Sequence, residues 1–492
     1  MHRLFLCEKP SQAKDIAKVL GANRRGDGCW LGTDVTVTWC IGHLLETAPP
    51  DAYDPRYKRW VLADLPIIPE HWKMQVKPKT ASQFKAVKRL LGEARELVIA
   101  TDADREGEMI ARELVEHCRY RGPIQRLWLS ALDDASIRKA LATLKPGAET
   151  FSLYHSALGR SRADWLIGMN MSRLFTLLGR QSGYQGVLPV GRVQTPTLRL
   201  VVDRDRRIAD FVPVAYWAIE VALLADGRSF TAQWRAPEDA CDEQGRCLNQ
   251  ALAQQASAAI DSAASARVVK LCTERMGEAP PLLFDLGTLQ EVCSKKLGLG
   301  AQETLDIAQA LYETHKFITY PRSDCGYLPL SQHGEAPAIL EALGRADPGL
   351  AALLPHLDAQ RRSRAWNDGK VSAHHGIIPT AAAPNLDRLV GKQHAVYSLI
   401  RARYLAQFLP NHEYDRTQAD FDCAGQALRA VGKVIVEPGW RRALPEALTP
   451  GKGRETAPPQ PLPALREGQD CCVAGASLKD LWTQPPKPFT EG

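Results

Sequence analysis

Leu97-Val98-Ile99-Ala100-Thr101-Asp102-Ala103-Asp104-Arg105-Glu106-Gly107-Glu108 is an apolar, β-favouring run that breaks into a turn crowded with acids. The periodicity predicts a strand over 97–101 and a helix over Met109–Cys118. Upstream, Phe84, Val87, Leu90 and Leu91 give 84–94 the pattern of an amphipathic helix. At the chain start, Arg3–Cys7 reads as a strand, Ser11 as an N-cap, and Ala13, Ile16, Ala17 and Leu20 as the inner face of a helix. Val35–Cys40 alternates like a strand, Leu127–Leu129 reads as another, and a helix is expected over Asp133–Leu144. Strands alternating with helices imply a mostly parallel sheet covered on both faces over 1–145.

In open parallel sheets, ligand groups gather at the carboxyl ends of the strands. Glu8 follows the first predicted strand, and Asp102 and Asp104 follow the strand at 97–101. Side by side, these carboxylates repel one another unless a cation or a raised pKa relieves them. An all-oxygen set of this kind suits Mg²⁺. Two other readings fit the same residues, a solvated acidic turn and an EF-hand loop (Asp102, Asp104, Glu106, Gly107, Glu113). An EF-hand needs a helix running straight into the loop, whereas five β-favouring residues stand there instead.

The 492 residues suggest several domains, and 45% hydrophobic with 24% charged residues is ordinary globular composition. The net charge of +6 permits a nucleic-acid partner without demanding one. From Ser156 to Arg199 there are six arginines, no lysine, and Asp164 as the lone acid. The twelve cysteines include no C-x-x-C pair, which argues for buried free thiols rather than a zinc ribbon or disulfide framework. No run of about 18 apolar residues could span a bilayer, and no signal peptide opens the chain, so a soluble, cytoplasmic protein without a membrane partner is expected. No G-x-x-x-x-G-K-[ST] loop is present, so no nucleotide cofactor is expected.

Beyond residue 150 the pattern divides into a helical part over 151–213, a β-rich part over 214–279 and 411–482, and a helical insertion over 280–410. Tyr216–Leu224 and Thr417–Val436 carry the β-like patterns. Glu238–Gly245 reads as a polar loop and Thr449–Pro463 as a proline-rich irregular stretch. Within the insertion, Leu305, Ala308, Leu311 and Tyr312 form an amphipathic helix that leads into Phe317-Ile318-Thr319-Tyr320-Pro321-Arg322-Ser323-Asp324. Pro321 disfavours helix at Tyr320 and favours an extended, projecting phenol. A phenol of pKa near 10 is a weak nucleophile unless its anion is stabilised. Two residues on in an extended segment, Arg322 would share the side of Tyr320 and could offset charge on a phosphate.

Taken in order, CEKPSQA (from Cys7), TDADREGE (from Thr101), GRVQTPTL (from Gly191), DLGTLQ (from Asp285), ITYPRSD (from Ile318) and AHHGIIPT (from Ala373) resemble the signature set of type IA DNA topoisomerases. WCIGHLLE and the general spacing are most similar to bacterial topoisomerase III. The resemblance departs at Gly287, where a Thr or Ser is more usual. It implies a multidomain α/β and α+β fold, with an N-terminal Toprim domain and helical and β-rich domains in a toroidal core. It implies Mg²⁺ on Glu8, Asp102 and Asp104 with Glu106 close by, and Lys9 and Arg322 on the scissile phosphate. Tyr320 would form a 5′-phosphotyrosyl bond, assisted by His374. The activity implied is ATP-independent breakage, passage and rejoining of one DNA strand, relaxing negatively supercoiled DNA or decatenating.

Arg162, Trp165, Arg173 and Arg180 recur at helical spacing, as a face that would follow single-stranded DNA. Pro189, Val190, Gly191, Arg192, Val193 and Gln194 precede a helix expected at Thr195-Pro196, and the resemblance makes this motif a DNA contact, as it does Trp60. Trp165 as core and Trp60 as surface packing are the competing readings. Thr483–Gly492 resembles a segment that leads into a further helical stretch in the family, which implies a chain shortened at its C-terminus. A binding or cleavage-only remnant is therefore the alternative, and a Toprim primase or nuclease would need the carboxylates but not Tyr320.

Overall fold

The computed structural model describes residues 3–371, 374–382, 385–444 and 460–491. Its first sheet has seven strands in the order β2-β3-β4-β1-β7-β8-β9. These are β1 (Arg3–Cys7), β2 (Arg24–Gly26), β3 (Cys29–Leu31), β4 (Val35–Trp39), β7 (Glu96–Ala100), β8 (Ile124–Arg126) and β9 (Lys145–Pro146). The four central strands β4, β1, β7 and β8 are parallel. Strands β5 (Leu45–Thr47) and β6 (Met74–Val76) form a separate pair. Helices α1 (Pro10–Val19), α2 (Ala81–Glu93), α3 (Arg105–His117) and α4 (Asp134–Ala142) cover the sheet. Leu4, Leu6, Leu97 and Ile99 face one core with Phe84, Val87 and Leu90 of α2, while Phe5, Val37 and Val98 face another. The period-2 alternation of both strands thus serves two buried faces.

Two local expectations are corrected. The N-cap of α1 is Lys9, with Pro10 in the first turn, so Ser11 already lies inside the helix. Pro suits that place because its missing N–H would have had no partner there. The strand expected at 127–129 lies at Ile124–Arg126 instead, paired with Leu97–Ile99. Arg126 disguised it, being a fully buried arginine in a strand. Its guanidinium pairs with Glu108 at 2.9 Å and donates to the carbonyls of Ile99, Thr101 and Asp102. Glu108 also takes Arg112 and Thr150, so the buried carboxylate is fully engaged.

Helix α5 (Phe151–Gln181) runs 31 residues, and α6 (Gln194–Ala209) has no buried residue. A closed six-stranded barrel follows, in the order β10-β11-β14-β13-β12-β15. It is built from β10 (Ala215–Ala225), β11 (Arg228–Trp234), β12 (Ser265–Glu278), β13 (His412–Cys423), β14 (Gln426–Glu437) and β15 (Asp470–Trp482), with α7 (Gln250–Asp261) against it. The stretch read as β-like over 417–436 is the β13–β14 hairpin. Ala424 and Gly425 turn it with φ of 50° and 78°, the positive-φ pair that matches strand twist. Most of 449–463 lies outside the described residues. Between β12 and β13 the chain leaves the barrel for α8 (Leu286–Leu297), α9 (Ala301–Ala310), α10 (Ala336–Ala346) and α11 (Lys392–Leu405).

One hydrophobic core runs from the sheet (Phe5, Val98, Leu127) into these helices (Leu289, Tyr312, Tyr397), with Tyr320 among its members. This continuity carries the tyrosine segment to the sheet. Among the described residues, no helix is long and apolar enough to cross a membrane. All twelve cysteines are free.

Candidate active site

Strands β1 and β7 pair in parallel with Cys7 opposite Ala100, so Glu8 and Asp102 leave the sheet side by side. A Glu8 carboxylate oxygen accepts the Asp102 amide at 3.2 Å. Asp102 is buried, taking Lys9 Nζ on one oxygen and Gln12 Nε2 on the other, both at 3.1 Å. Asp104 caps α3 through the Gly107 amide at 2.6 Å. A Cβ on Gly107 would stand 2.3 Å from the Asp102 carbonyl oxygen, so glycine is required for this tight entry into the helix. The other Asp104 oxygen accepts the Tyr320 hydroxyl at 2.6 Å, across 216 residues of sequence.

Tyr320 is fixed by its neighbours. Its amide donates to Ser130 O, and Thr319 donates to Ile378 O, each at 2.9 Å. Its ring stacks on His374 at 5.4 Å and meets Tyr312 edge-on at 5.6 Å. His374 Nδ1 lies 3.2 Å from Asp324 Oδ1, and its buried Nε2 has no partner.

Crowding shows in the protonation equilibria. Burial first, and then the Asp102 charge, push the Glu8 carboxyl up to about 8. Burial likewise lifts Asp102, against the pull of Lys9. The Tyr320 phenol is driven far above its usual range by burial, Asp104 and Asp102, so it stands protonated beside its acceptor. Lys9 is lowered by burial, but Asp102 and Glu313 outweigh that and hold it charged.

The carboxylates Glu8, Asp102 and Asp104 converge, but Glu106 does not join them. It is half exposed and turned to His43, whose Nε2 lies 2.8 Å from its Oε1. Glu106 is one residue into α3, past the cap that aims Asp104 inward. Arg322 also departs from expectation. Residues 321–322 form a turn rather than an extended strand, because Ser323 O accepts Leu286 N and bends the chain. Tyr320 is buried while Arg322 is exposed, without an ion pair among the described residues.

A divalent cation can be tested against this donor set. Among the described residues, no three His, Cys, Asp or Glu side chains are gathered in metal-holding geometry as they stand. Yet of the three crowded carboxylates only Asp102 is bonded to an ammonium among the described residues, that of Lys9, which it shares with Glu313. Each carboxylate keeps further lone pairs free. All-oxygen donors with excess negative charge fit Mg²⁺.

Of the residues expected to follow DNA, several are committed to packing. Trp165 is buried, donates to Ala48 O at 3.1 Å, and meets Tyr53 and Trp72 edge-on. Arg173 is buried, donates to Tyr57 O at 2.9 Å and lies 5.2 Å over Trp60. Arg162 lies 5.2 Å over Trp72. This face of α5 is therefore glued to the segment 48–72, because cations on aromatic faces bury well without a carboxylate. Arg180 is exposed, and Arg192 pairs with Asp164 at 2.7 Å. Pro189, Val193 and Gln194 are exposed. Val190 N donates to Ser172 Oγ and Gly191 N to Thr195 Oγ1, so those two amides are already engaged. Helix α6 begins at Gln194, one residue before the expected Thr195.

Three residues of the site escaped sequence reading. Gln12 accepts the Glu8 amide and donates to Asp102. Glu313 holds Lys9 at 2.5 Å from a π-helical turn, Leu311–His315, that ends α9. His43 sits between Glu106 and Glu113. Spacing offered one signal, since Gln12 lies one helical turn past Glu8. His43 lay in the WCIGHLLE motif without a role being read for it, and Glu313 had no signal, as its partner is distant in sequence.

Comparison with known proteins gives the same outline. The family model described as DNA topoisomerase matches residues 148–492, and that of the Toprim domain matches 3–132. DNA topoisomerase 3 of Vibrio cholerae is 40% identical over 509 residues, covering 100% of this chain and 77% of the relative. DNA topoisomerase 3 of Salmonella typhimurium is 41% identical, covering 99% and 76%. Full-length topoisomerase I of Thermotoga maritima shares the fold, with a TM-score of 0.71 at 23% identity over 99% of this chain and 73% of that one.

Proposed function

From the premise that this chain belongs to the type IA DNA topoisomerases and is of the topoisomerase III kind, we propose that it cleaves one DNA strand through Tyr320, passes DNA through the break and reseals it. The observation that carries the reading is the 2.6 Å hydrogen bond from the Tyr320 hydroxyl to Asp104 at the carboxyl end of the sheet. A nucleophile buried beside its own proton acceptor is built for transfer rather than for packing alone.

As the phenol oxygen bonds to phosphorus, its proton passes to Asp104 Oδ2. The bond from phosphorus to the deoxyribose 3′-oxygen breaks as that oxygen takes up a proton from solvent, in exchange for the one Asp104 receives, which leaves a 5′-phosphotyrosine and a 3′-hydroxyl. Lys9, positioned by Glu313 and Asp102, offsets charge on the phosphate. His374 presents its unpartnered Nε2 beside Tyr320, and Arg322 is free to turn toward the phosphate from its exposed position. Mg²⁺ held by Glu8, Asp102 and Asp104 would supply positive charge against the crowded carboxylates and the DNA backbone. Phosphodiester energy is kept in the tyrosyl ester, so resealing needs no ATP.

The DNA partner is single-stranded or underwound, because the nucleophile is enclosed and reached more readily by a strand freed from its complement. Acting on DNA, the enzyme would work in the cytoplasm. A negatively supercoiled plasmid incubated with Mg²⁺ and no nucleotide should give a ladder of relaxed topoisomers that a chelator abolishes. Nicked circles alone, or a requirement for ATP, would contradict the proposal.

A further inference from the structure

His43 lies in Trp39-Cys40-Ile41-Gly42-His43, the loop that leaves β4 beside Glu8. Cys40 N donates to Cys7 O at 2.8 Å and Gly42 N to Glu8 O at 3.4 Å, which ties this loop to the first carboxylate's backbone. Gly42 turns it at φ 61°, a conformation that side chains rarely adopt. From there the imidazole reaches α3 and engages two carboxylates. Its Nε2 lies 2.8 Å from Glu106 and its Nδ1 lies 2.9 Å from Glu113.

Glu106 and Glu113 are seven residues apart on α3, two turns along one face. Glu113 is the anchored end, being 5% exposed, and its second oxygen is buried without a partner. Glu106 is the loose end, 54% exposed at the mouth of a cavity of about 340 Å³ that Lys77, Arg160 and Asp164 also line. Glu8, Asp102 and Asp104 do not line this cavity. An imidazole can bond two carboxylates at once only with both ring nitrogens donating. His43 is thus a two-pronged clamp with one prong fixed.

We propose that His43 is a positioning residue that holds Glu106 away from Glu8, Asp102 and Asp104, and so limits the cation site to three carboxylates. Freed from the clamp, Glu106 is an exposed side chain in the first turn of α3 that keeps no hydrogen bond, with only the more distant charges of Arg105 and Arg160 acting on it. It would swing toward a cation on its neighbours and add a fourth negative ligand, which tightens binding. A site bound too tightly would exchange its cation and DNA slowly, which gives the clamp its use in turnover. This inference rests on the proposed cation role of the three carboxylates.

Binding of Mn²⁺ to the whole chain, followed by the electron paramagnetic resonance of the free ion, tests it without an activity assay. Asp102→Asn, which should remove the site, defines background. His43→Ala should tighten Mn²⁺ binding by roughly threefold or more, and His43→Ala/Glu106→Gln should return it to the wild-type value. His43→Arg, which keeps two N–H donors, should stay near wild type and guards against a folding artefact. Unchanged or weaker binding in His43→Ala would overturn the clamp while leaving the cation site standing, as would tightening that survives the second substitution. No binding by the wild-type chain would overturn both readings, beginning with the cation site.

Discussion

The carboxyl end of the seven-stranded sheet and helix α5 each gather charge of one sign, and they handle it in opposite ways. At the sheet end, Glu8, Asp102 and Asp104 stay close, burial raising the first two above the usual carboxylate range, with Lys9 set against Asp102. Along α5 the arginines are dispersed. Arg162 and Arg173 lie on tryptophans, while Arg180 remains free in solvent. Unrelieved like charge marks chemistry, whereas charge spread over aromatic faces marks architecture, whatever the composition suggests.

The acid end can be broken from beneath. Arg126→Met should cost about 3–5 kcal/mol of stability, because Glu108 loses one of its two buried arginines and four carbonyls lose a donor. Chemical denaturation measures this, and a loss below about 1 kcal/mol would show that the buried pair is not what braces the strand end. Lys9→Ala should lower the rate of DNA cleavage by about 10²–10³ in single-turnover assays with little loss of fold, by analogy with removing one oxyanion donor. Near-normal cleavage would mean that Lys9 only neutralises Asp102.

The basic helix sharpens the contrast at smaller cost. Arg173→Ala should destabilise by about 1–2 kcal/mol through the lost carbonyl bond and the ring contact with Trp60. Its dependence of single-stranded DNA affinity on salt should be unchanged. Arg180→Ala should do the reverse, leaving stability within about 0.5 kcal/mol. It should reduce the salt slope by about 0.7, the value of one released counterion on a single strand. If the two variants exchange behaviours, the division of α5 into packing and DNA-contacting arginines is wrong.

What was legible in the sequence follows the range of the interactions. Strand β7 and α3 are specified within a dozen residues, so their periodicity could be read directly, but the helix expected from Met109 starts at Arg105 because the Asp104 cap went unread. Tyr320 was legible through its motif, though the partner that matters, Asp104, lies 216 residues away. Arg126 hid a strand because a buried cation looks like a surface residue until its carbonyl partners are seen. The periodicity of α5 was right, but it could not divide the packed arginines from the exposed Arg180, since helical spacing cannot say which face meets solvent and which meets Trp60 and Trp72. Arg322 was misplaced for a related reason. Its orientation depended on an extended backbone, which the Leu286–Ser323 hydrogen bond replaces with a turn.

Trapping the cleavage intermediate tests the central claim most directly. The chain is incubated with single-stranded DNA labelled on the 3′ side of the break and Mg²⁺, then quenched with detergent. The label should migrate with the protein, survive denaturation, map to the peptide bearing Tyr320, and be absent from Tyr320→Phe. Cleaved but unattached DNA, or a covalent complex that persists in Tyr320→Phe, would contradict the assignment of Tyr320 as the nucleophile beside Asp104.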